Sequence, residues 1–85
     1  MNIIQELKEQ FRDDYNNELD KIEFEFMTEH GVMERAERIV CAMKGKSYTA
    51  YLNGDEEDLY DEVWHEAATL ASDVVQQLSK EWRNK

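Results

Sequence analysis

Residues 55–83 read DEEDLYDEVWHEAATLASDVVQQLSKEWR, and this stretch predicts one long helix. Asp55 follows a glycine and is a good N-cap, and the acids after it suit the positive end of the helix dipole. Lys80 and Arg83 suit the negative end. The helix would be roughly 40 Å long. Its apolar residues recur every three or four positions and form one stripe, which the rest of the chain must cover: Tyr60, Val63, Trp64, Ala67, Leu70, Ala71, Val74, Leu78 and Trp82.

Two further helices are predicted before this one. The second helix of the chain covers residues 33–44, between Gly31 and Gly45, because glycine suits a helix end. The first covers residues 2–29, where an apolar stripe also recurs at helical spacing: Ile4, Leu7, Phe11, Tyr15, Leu19, Ile22 and Phe26. It has a weak point where a break into two helices would occur, at the poor helix formers Asp13, Asp14, Asn16 and Asn17. Two long helices flanking a short one predict an all-α three-helix bundle, a single domain over residues 1–85.

Two short segments also fit strands and leave an alternative open. Residues 22–26 alternate apolar and acidic side chains, and residues 47–52 alternate before the turn signal Asn53-Gly54. Phe24 lies off the helical stripe but on the apolar face of such a strand. The alternative fold is therefore α+β, with a two-stranded ribbon formed by residues 22–26 and 47–52.

The composition limits the size and class of the protein. The chain has 85 residues, of which 41% are hydrophobic, so it is too apolar for a disordered chain and forms one small core. A large enzyme is excluded, and no motif indicates a small one. We therefore expect a protein that is not an enzyme.

Cysteine usage and hydropathy predict the compartment. Cys41 is the only cysteine, so the chain has no internal disulfide. No apolar run approaches the roughly 20 residues of a membrane span, and residues 1–7 lack the pattern of a secretory signal. These features predict a cytoplasmic protein.

Acidic residues are concentrated in two parts of the chain. The whole chain has 20 acids and 10 bases, a net charge of -10. Residues 51–66 contain seven acids and no base, and we call these seven the acidic cluster: Asp55, Glu56, Glu57, Asp58, Asp61, Glu62 and Glu66. Residues 1–31 contain nine acids against three bases, and four of these acids form a second acidic region: Asp13, Asp14, Glu18 and Glu25.

This charge predicts a basic protein as the partner. Nucleic acid and anionic membranes are polyanions and would be repelled. A helix lined with carboxylates presents charges much as a nucleic acid presents phosphates, so it would block a basic groove made for DNA or RNA. The leading hypothesis is a small acidic inhibitor that mimics nucleic acid, of the anti-CRISPR or anti-restriction class made by phages, with both acidic regions as its binding residues. A bacteriocin immunity protein that neutralises a basic nuclease has a similar size and charge.

One alternative gives the charge a different meaning. Acidic surfaces are common and aid solubility, so the chain could be a helical protein–protein interaction or assembly module with apolar contacts. Against a purely solubilising role, no base is interleaved between Asp55 and Glu66.

The residues that bear on metal or thiol chemistry give weak signals. Glu62 and His65 have the Glu-x-x-His spacing found in di-iron bundles, but only one copy is present, where such bundles use two. We expect no metal and no cofactor. Cys41 is expected to be a buried thiol, and His30, beside Gly31, a helix-end residue.

The aromatic residues divide into core and surface. Phe11, Phe26, Trp64 and Trp82 lie on the stripes and are predicted to be core residues. Partial exposure is predicted for three others: Phe24, Tyr48 and Tyr51. Burial of Phe24 or Trp82 against a second copy would form a homodimer, which stays open at this point.

Overall fold

The computed structural model describes residues 2–84 and consists there of five helices without a strand. They are α1 (Ile3–Asn17), α2 (Glu23–Glu29), α3 (Val32–Met43), α4 (Tyr48–Asn53) and α5 (Glu57–Arg83). The predicted all-α class is confirmed, but there are five helices instead of three. The α+β alternative is wrong, because residues 22–26 lie mainly in α2 and residues 47–52 lie mainly in α4.

The predicted helix over residues 2–29 is broken, just after its predicted weak point. Asn2 caps α1 by accepting a hydrogen bond from the backbone N–H of Ile4 at 2.9 Å. The helix ends at Asn17, and Ile22 then has extended backbone angles before α2 begins. Leu19 and Ile22 continue the apolar stripe in sequence but lie exposed in the connection. The apolar residues thus keep their helical spacing through this region, although the chain between α1 and α2 is not helical.

Residues 48–53 form a short helix where a strand was considered. Ser47 caps it by accepting a hydrogen bond from the Ala50 N–H, and Gly54 ends it with a left-handed φ of 71°. Tyr51 is only 2% exposed and its ring stacks on that of Tyr60. The predicted exposure of Tyr51 is therefore wrong, whereas Tyr48 is half-buried, with the Arg38 guanidinium 4.4 Å from its ring centre.

Helix α5 is the central element, because α1, α2, α3 and α4 all pack on it. It begins at Glu57 and its N-cap is Glu56, one residue later than the predicted cap. Its buried face is made of Leu59, Val63, Ala67, Ala71, Val74, Val75 and Leu78. Ala67 and Ala71 are fully buried, and their small side chains leave room for the neighbouring helices.

Both tryptophans lie at the border of this face and are not core residues. Trp64 is 43% exposed and Trp82 is 47% exposed, so their predicted burial is wrong. An apolar stripe on a 27-residue helix is wider than the surface that four shorter helices can cover. Residues at its edges therefore remain in contact with water.

Helices α3 and α1 hold the two ends of α5. Gly31 has a left-handed φ of 74° between α2 and α3, and α3 runs over nearly the predicted residues. Val32, Ala36, Val40 and Cys41 bury its inner face. On α1, buried Lys8 lies 2.5 Å from a carboxylate oxygen of Glu81, near the far end of α5. No helix within residues 2–84 has the length and hydropathy needed to cross a bilayer.

Candidate functional site

The acidic cluster lies at the start of α5, and all seven of its side chains are exposed. Five of them belong to the helix itself, from Glu57 to Glu66. This segment is about 14 Å long, which gives roughly one carboxylate per 3 Å of helix axis. Duplex DNA carries a phosphate charge per about 1.7 Å of its axis. The helix therefore reaches about half the linear charge density of a duplex.

Two lysines after α3 neutralise part of the acidic cluster. Lys44 Nζ lies 3.7 Å from a carboxylate oxygen of Glu62 and 3.3 Å from one of Glu66. Lys46 Nζ lies 3.6 Å from a carboxylate oxygen of Glu56. The contact between Lys44 and Glu62 was not predictable from the sequence, because the two residues lie 18 positions apart in the chain.

Four members of the acidic cluster keep free carboxylates. Among the residues that the structure describes, Asp55, Glu57, Asp58 and Asp61 form no ion pair. A cavity of about 540 Å³ lies at the start of α5. It is lined by Lys46, Leu59 and four acids of the cluster, Glu56, Glu57, Asp58 and Glu62. This end of the molecule thus presents a concave, negatively charged surface, in which lysine contacts Glu56 and Glu62 but, in the described chain, not Glu57 and Asp58.

Half of the second acidic region is compensated, namely Asp14 and Glu18. Glu18 contacts the His30 Nε2 and Lys21, and Lys21 also contacts Glu29. Asp14 lies 3.7 Å from the other ring nitrogen of His30. We call these five residues the balanced cluster: Asp14, Glu18, Lys21, Glu29 and His30. Of the predicted second region, only Asp13 and Glu25 are outside it, and both are exposed.

His30 is the centre of the balanced cluster. It caps the end of α2, as predicted, and its ring stacks on Phe26 with 4.5 Å between the ring centres. Its hydrogen bond lowers the pKa of the Glu18 carboxyl, partial desolvation opposes this effect, and nearby Lys21 adds to the lowering. The cluster fastens the end of α1 to the start of α3.

The structure does not bring the acidic cluster and the balanced cluster together. The balanced cluster is centred on His30, just before α3, whereas the acidic cluster contacts Lys44 and Lys46, just after it. Helix α3 has 12 residues, which corresponds to about 18 Å between them. The two clusters are separate surfaces.

Three potential metal ligands meet within the described range 2–84, namely Glu18, Glu29 and His30. The ammonium group of Lys21 contacts both glutamates, so it occupies the position that a cation would take. The predicted pair of Glu62 and His65 gains no third ligand in the described chain, and Glu62 is engaged by Lys44. These contacts favour an ion-pair cluster over a metal centre.

The thiol of Cys41 is buried, as predicted. Desolvation raises its pKa, and the nearby charge of Glu37 adds to this effect. A raised pKa keeps the thiol protonated and lowers its reactivity. Cys41 therefore acts as a small core residue.

One surface was missed by the sequence analysis, an apolar groove between α2, the start of α3 and α5. Phe24, Met27, Met33, Trp64 and Ala68 supply its apolar lining. The exposure predicted for Phe24 was the only signal, because the placement of Trp64 at a border depends on how the helices pack.

No family model, no curated protein and no solved structure matches this chain.

Proposed function

We propose that this protein is a small, non-enzymatic inhibitor that occupies a basic nucleic-acid-binding surface of a target protein in place of DNA or RNA. The observation that carries the proposal is the row of free carboxylates on the first two turns of α5, formed by Glu57, Asp58 and Asp61. A rigid helix fixes their spacing, so they can replace phosphates without a large ordering cost on binding.

The cost of this arrangement to the fold supports a binding role. Glu57 and Asp61 are four residues apart on one helix, as are Asp58 and Glu62, and like charges at this spacing destabilise a helix by roughly 0.2–0.5 kcal/mol per pair. The positive end of the helix dipole favours Glu57 and Asp58 in the first turn, but Asp61 and Glu62 lie beyond that turn, where a surface that served only solubility would lose nothing by mixing its charges. Binding to a basic partner is a reason to keep the repulsion.

The remaining predicted residues have smaller parts in this proposal. Glu56, Glu62 and Glu66 face the target with their charge partly neutralised by lysine. Asp13 and Glu25 add to the long-range field that speeds association. Asp14 and Glu18 are engaged by His30 and serve mainly the fold.

The target class follows from the chemistry of the surface. A basic groove for nucleic acid occurs in restriction enzymes, CRISPR effectors and other nucleases, and we propose a cytoplasmic target of this kind. The inhibitor itself does not bind nucleic acid or membranes, because its net charge of -10 repels both.

The experiment is an affinity capture from cell lysate at low salt, followed by a salt gradient and a competition with duplex DNA or RNA. The wild-type protein is expected to retain a basic protein that elutes with salt and is displaced by nucleic acid. The triple variant Glu57→Lys/Asp58→Lys/Asp61→Lys is expected to lose this capture, and circular dichroism checks that it stays helical.

A matched control carries the same change in net charge elsewhere. Glu6→Lys/Glu9→Lys/Asp20→Lys replaces three exposed acids outside both acidic regions. It is expected to retain the target, with some loss of association rate. Equal losses in both triple variants would reject a specific role for the start of α5.

The second candidate function is a helical interaction module whose charge serves only solubility, and the apolar groove favours it. That function predicts binding that survives high salt, is insensitive to nucleic acid, and is retained by both triple variants.

A further inference from the structure

The apolar groove is a second surface on the same side of α5 as part of the acidic cluster. Its volume is about 410 Å³, and Glu23, Thr28 and Ser72 complete the lining of Phe24, Met27, Met33, Trp64 and Ala68. Trp64, Ala68 and Ser72 follow one another at four-residue spacing, so they form one row along α5. Helix α2 and Met33 form the opposite wall.

The groove is open to solvent along its length. Phe24 is 67% exposed and Trp64 is 43% exposed, although both are large apolar side chains. Contiguous exposed apolar surface of this kind marks an interaction site. A pocket for a small molecule would enclose its ligand, whereas an open groove fits an extended partner.

The lining of the groove carries a negative charge. Among the described residues 2–84 that line it, Glu23 is charged and none is a lysine or arginine. Asp61 and Glu57 precede Trp64 by three and seven residues on α5, so the row that lines the groove continues into the acidic cluster. A partner lying along this row would contact apolar side chains from Trp64 to Ser72 and carboxylates from Asp61 back to Glu57.

From this arrangement we infer that the apolar groove receives an amphipathic helix of the target, with apolar anchors at helical spacing and lysine or arginine beside them. The inference rests on the proposed function in taking the target to be basic. A second copy of this chain fits less well, because it would bring the same acidic residues against Glu23, Asp61 and Glu57.

The length of the row sets the size of the probe. From Glu57 to Ser72 the axis of α5 extends about 23 Å, which a helix of about 16 residues matches. The probe is therefore a 16-residue synthetic peptide of leucine and lysine, with leucines at the spacing of one helix face. A scrambled peptide of the same composition keeps the charge and loses the apolar face.

The readout is the fluorescence of Trp64 in a Trp82→Phe background, where it is the only tryptophan. The amphipathic peptide is expected to shift this emission to the blue and to bind at least about tenfold more tightly than the scrambled peptide. Phe24→Ser is expected to remove most of that difference. Leu52→Ser, which replaces another exposed apolar residue outside the groove, is the matched control and is expected to preserve it.

The outcomes separate this inference from the proposed function. Equal binding of both peptides, with unchanged Trp64 emission and no effect of Phe24→Ser, would overturn the groove inference while leaving capture of the target by the acidic cluster intact. No binding of either peptide would also overturn it. A dimer in sedimentation velocity that Phe24→Ser dissociates would assign the groove to a second copy instead.

Discussion

The acidic cluster and the balanced cluster lie in the two acidic stretches of the sequence but differ in how many of their carboxylates have a partner. Residues 51–66 carry seven acids without a base, and residues 1–31 carry nine acids with three bases. In the folded chain, Lys21 and His30 contact Glu18, Glu29 and Asp14, so every acid of the balanced cluster has a partner, although the other six acids of residues 1–31 lie outside it. Lys44 and Lys46 contact three of the seven acids of the acidic cluster, and the other four form no ion pair within residues 2–84. The number of acids in a stretch of sequence therefore does not show how many of their carboxylates lack a partner in the folded protein.

The difference has a functional meaning. Contacts in the balanced cluster fix the turn between α1 and α2 and the start of α3, so changes there are expected to act on stability. Free carboxylates at the start of α5 repel one another, so changes there are expected to act on binding and even to favour folding. The following predictions test this contrast.

The largest effect is expected from Phe26→Ala, beneath the balanced cluster. Phe26 is 0% exposed, contacts Tyr15 edge to face and stacks on His30. Removing a buried phenyl ring costs about 3–5 kcal/mol, a large part of the stability of a small domain. Urea denaturation measures the loss. Phe24→Ala, two residues away and exposed, is the control and is expected to change stability by less than about 0.5 kcal/mol.

A smaller loss is expected from His30→Ala. This change removes the ring stacked on Phe26, worth about 1 kcal/mol, together with the contacts to Glu18 and Asp14. The same denaturation series measures it, and capture of the target should be unaffected. If stability were unchanged, the balanced cluster would have no structural role.

A gain in stability is expected from Asp61→Lys. A lysine at this position would face Glu57 and Asp58, four and three residues before it, and replace repulsion by attraction worth about 0.5 kcal/mol. Capture of the target should weaken at the same time. Opposite signs for stability and binding in one variant would distinguish a binding surface from a solubilising one, whereas Glu18→Lys in the balanced cluster should lower stability.

The smallest effect is expected from acid titration. Contacts with His30 and with Lys8 lower the pKa of Glu18 and of Glu81 below the ordinary value of 4.5. The folded state then holds these protons less tightly than the unfolded chain, so their contribution to stability is present above about pH 4.5 and is lost as the pH falls through the lowered values. Solvent screening keeps it small. The urea midpoint followed between about pH 5 and pH 3 should fall less steeply for the double variant Glu18→Gln/Glu81→Gln.

Much of the helical structure was predictable because its signals are local. The stripe and end charges of residues 55–83 identified α5 to within two residues at its start, and Gly31 and Gly45 bounded α3. The weak point near Asn16 and Asn17 anticipated the break after α1. The six residues that form α4 were ambiguous, because a pattern this short fits a strand and a helix equally well.

The candidate site was likewise predictable where its signals are local and not where they depend on packing. By itself the sequence determined a long helix with a dense acidic segment at its start, because periodicity, capping and charge are properties of neighbouring residues, whereas the choice between an all-α and an α+β fold stayed open. Only the tertiary structure decided which carboxylates stay free. Lys44, Lys46 and His30 come from other parts of the chain and contact some of the carboxylates, and the others remain without an ion-pair partner in the described chain. The tertiary structure also decided that Trp64 and Phe24 line an open groove. Such pairings depend on how helices pack, and packing joins residues that lie far apart in the chain.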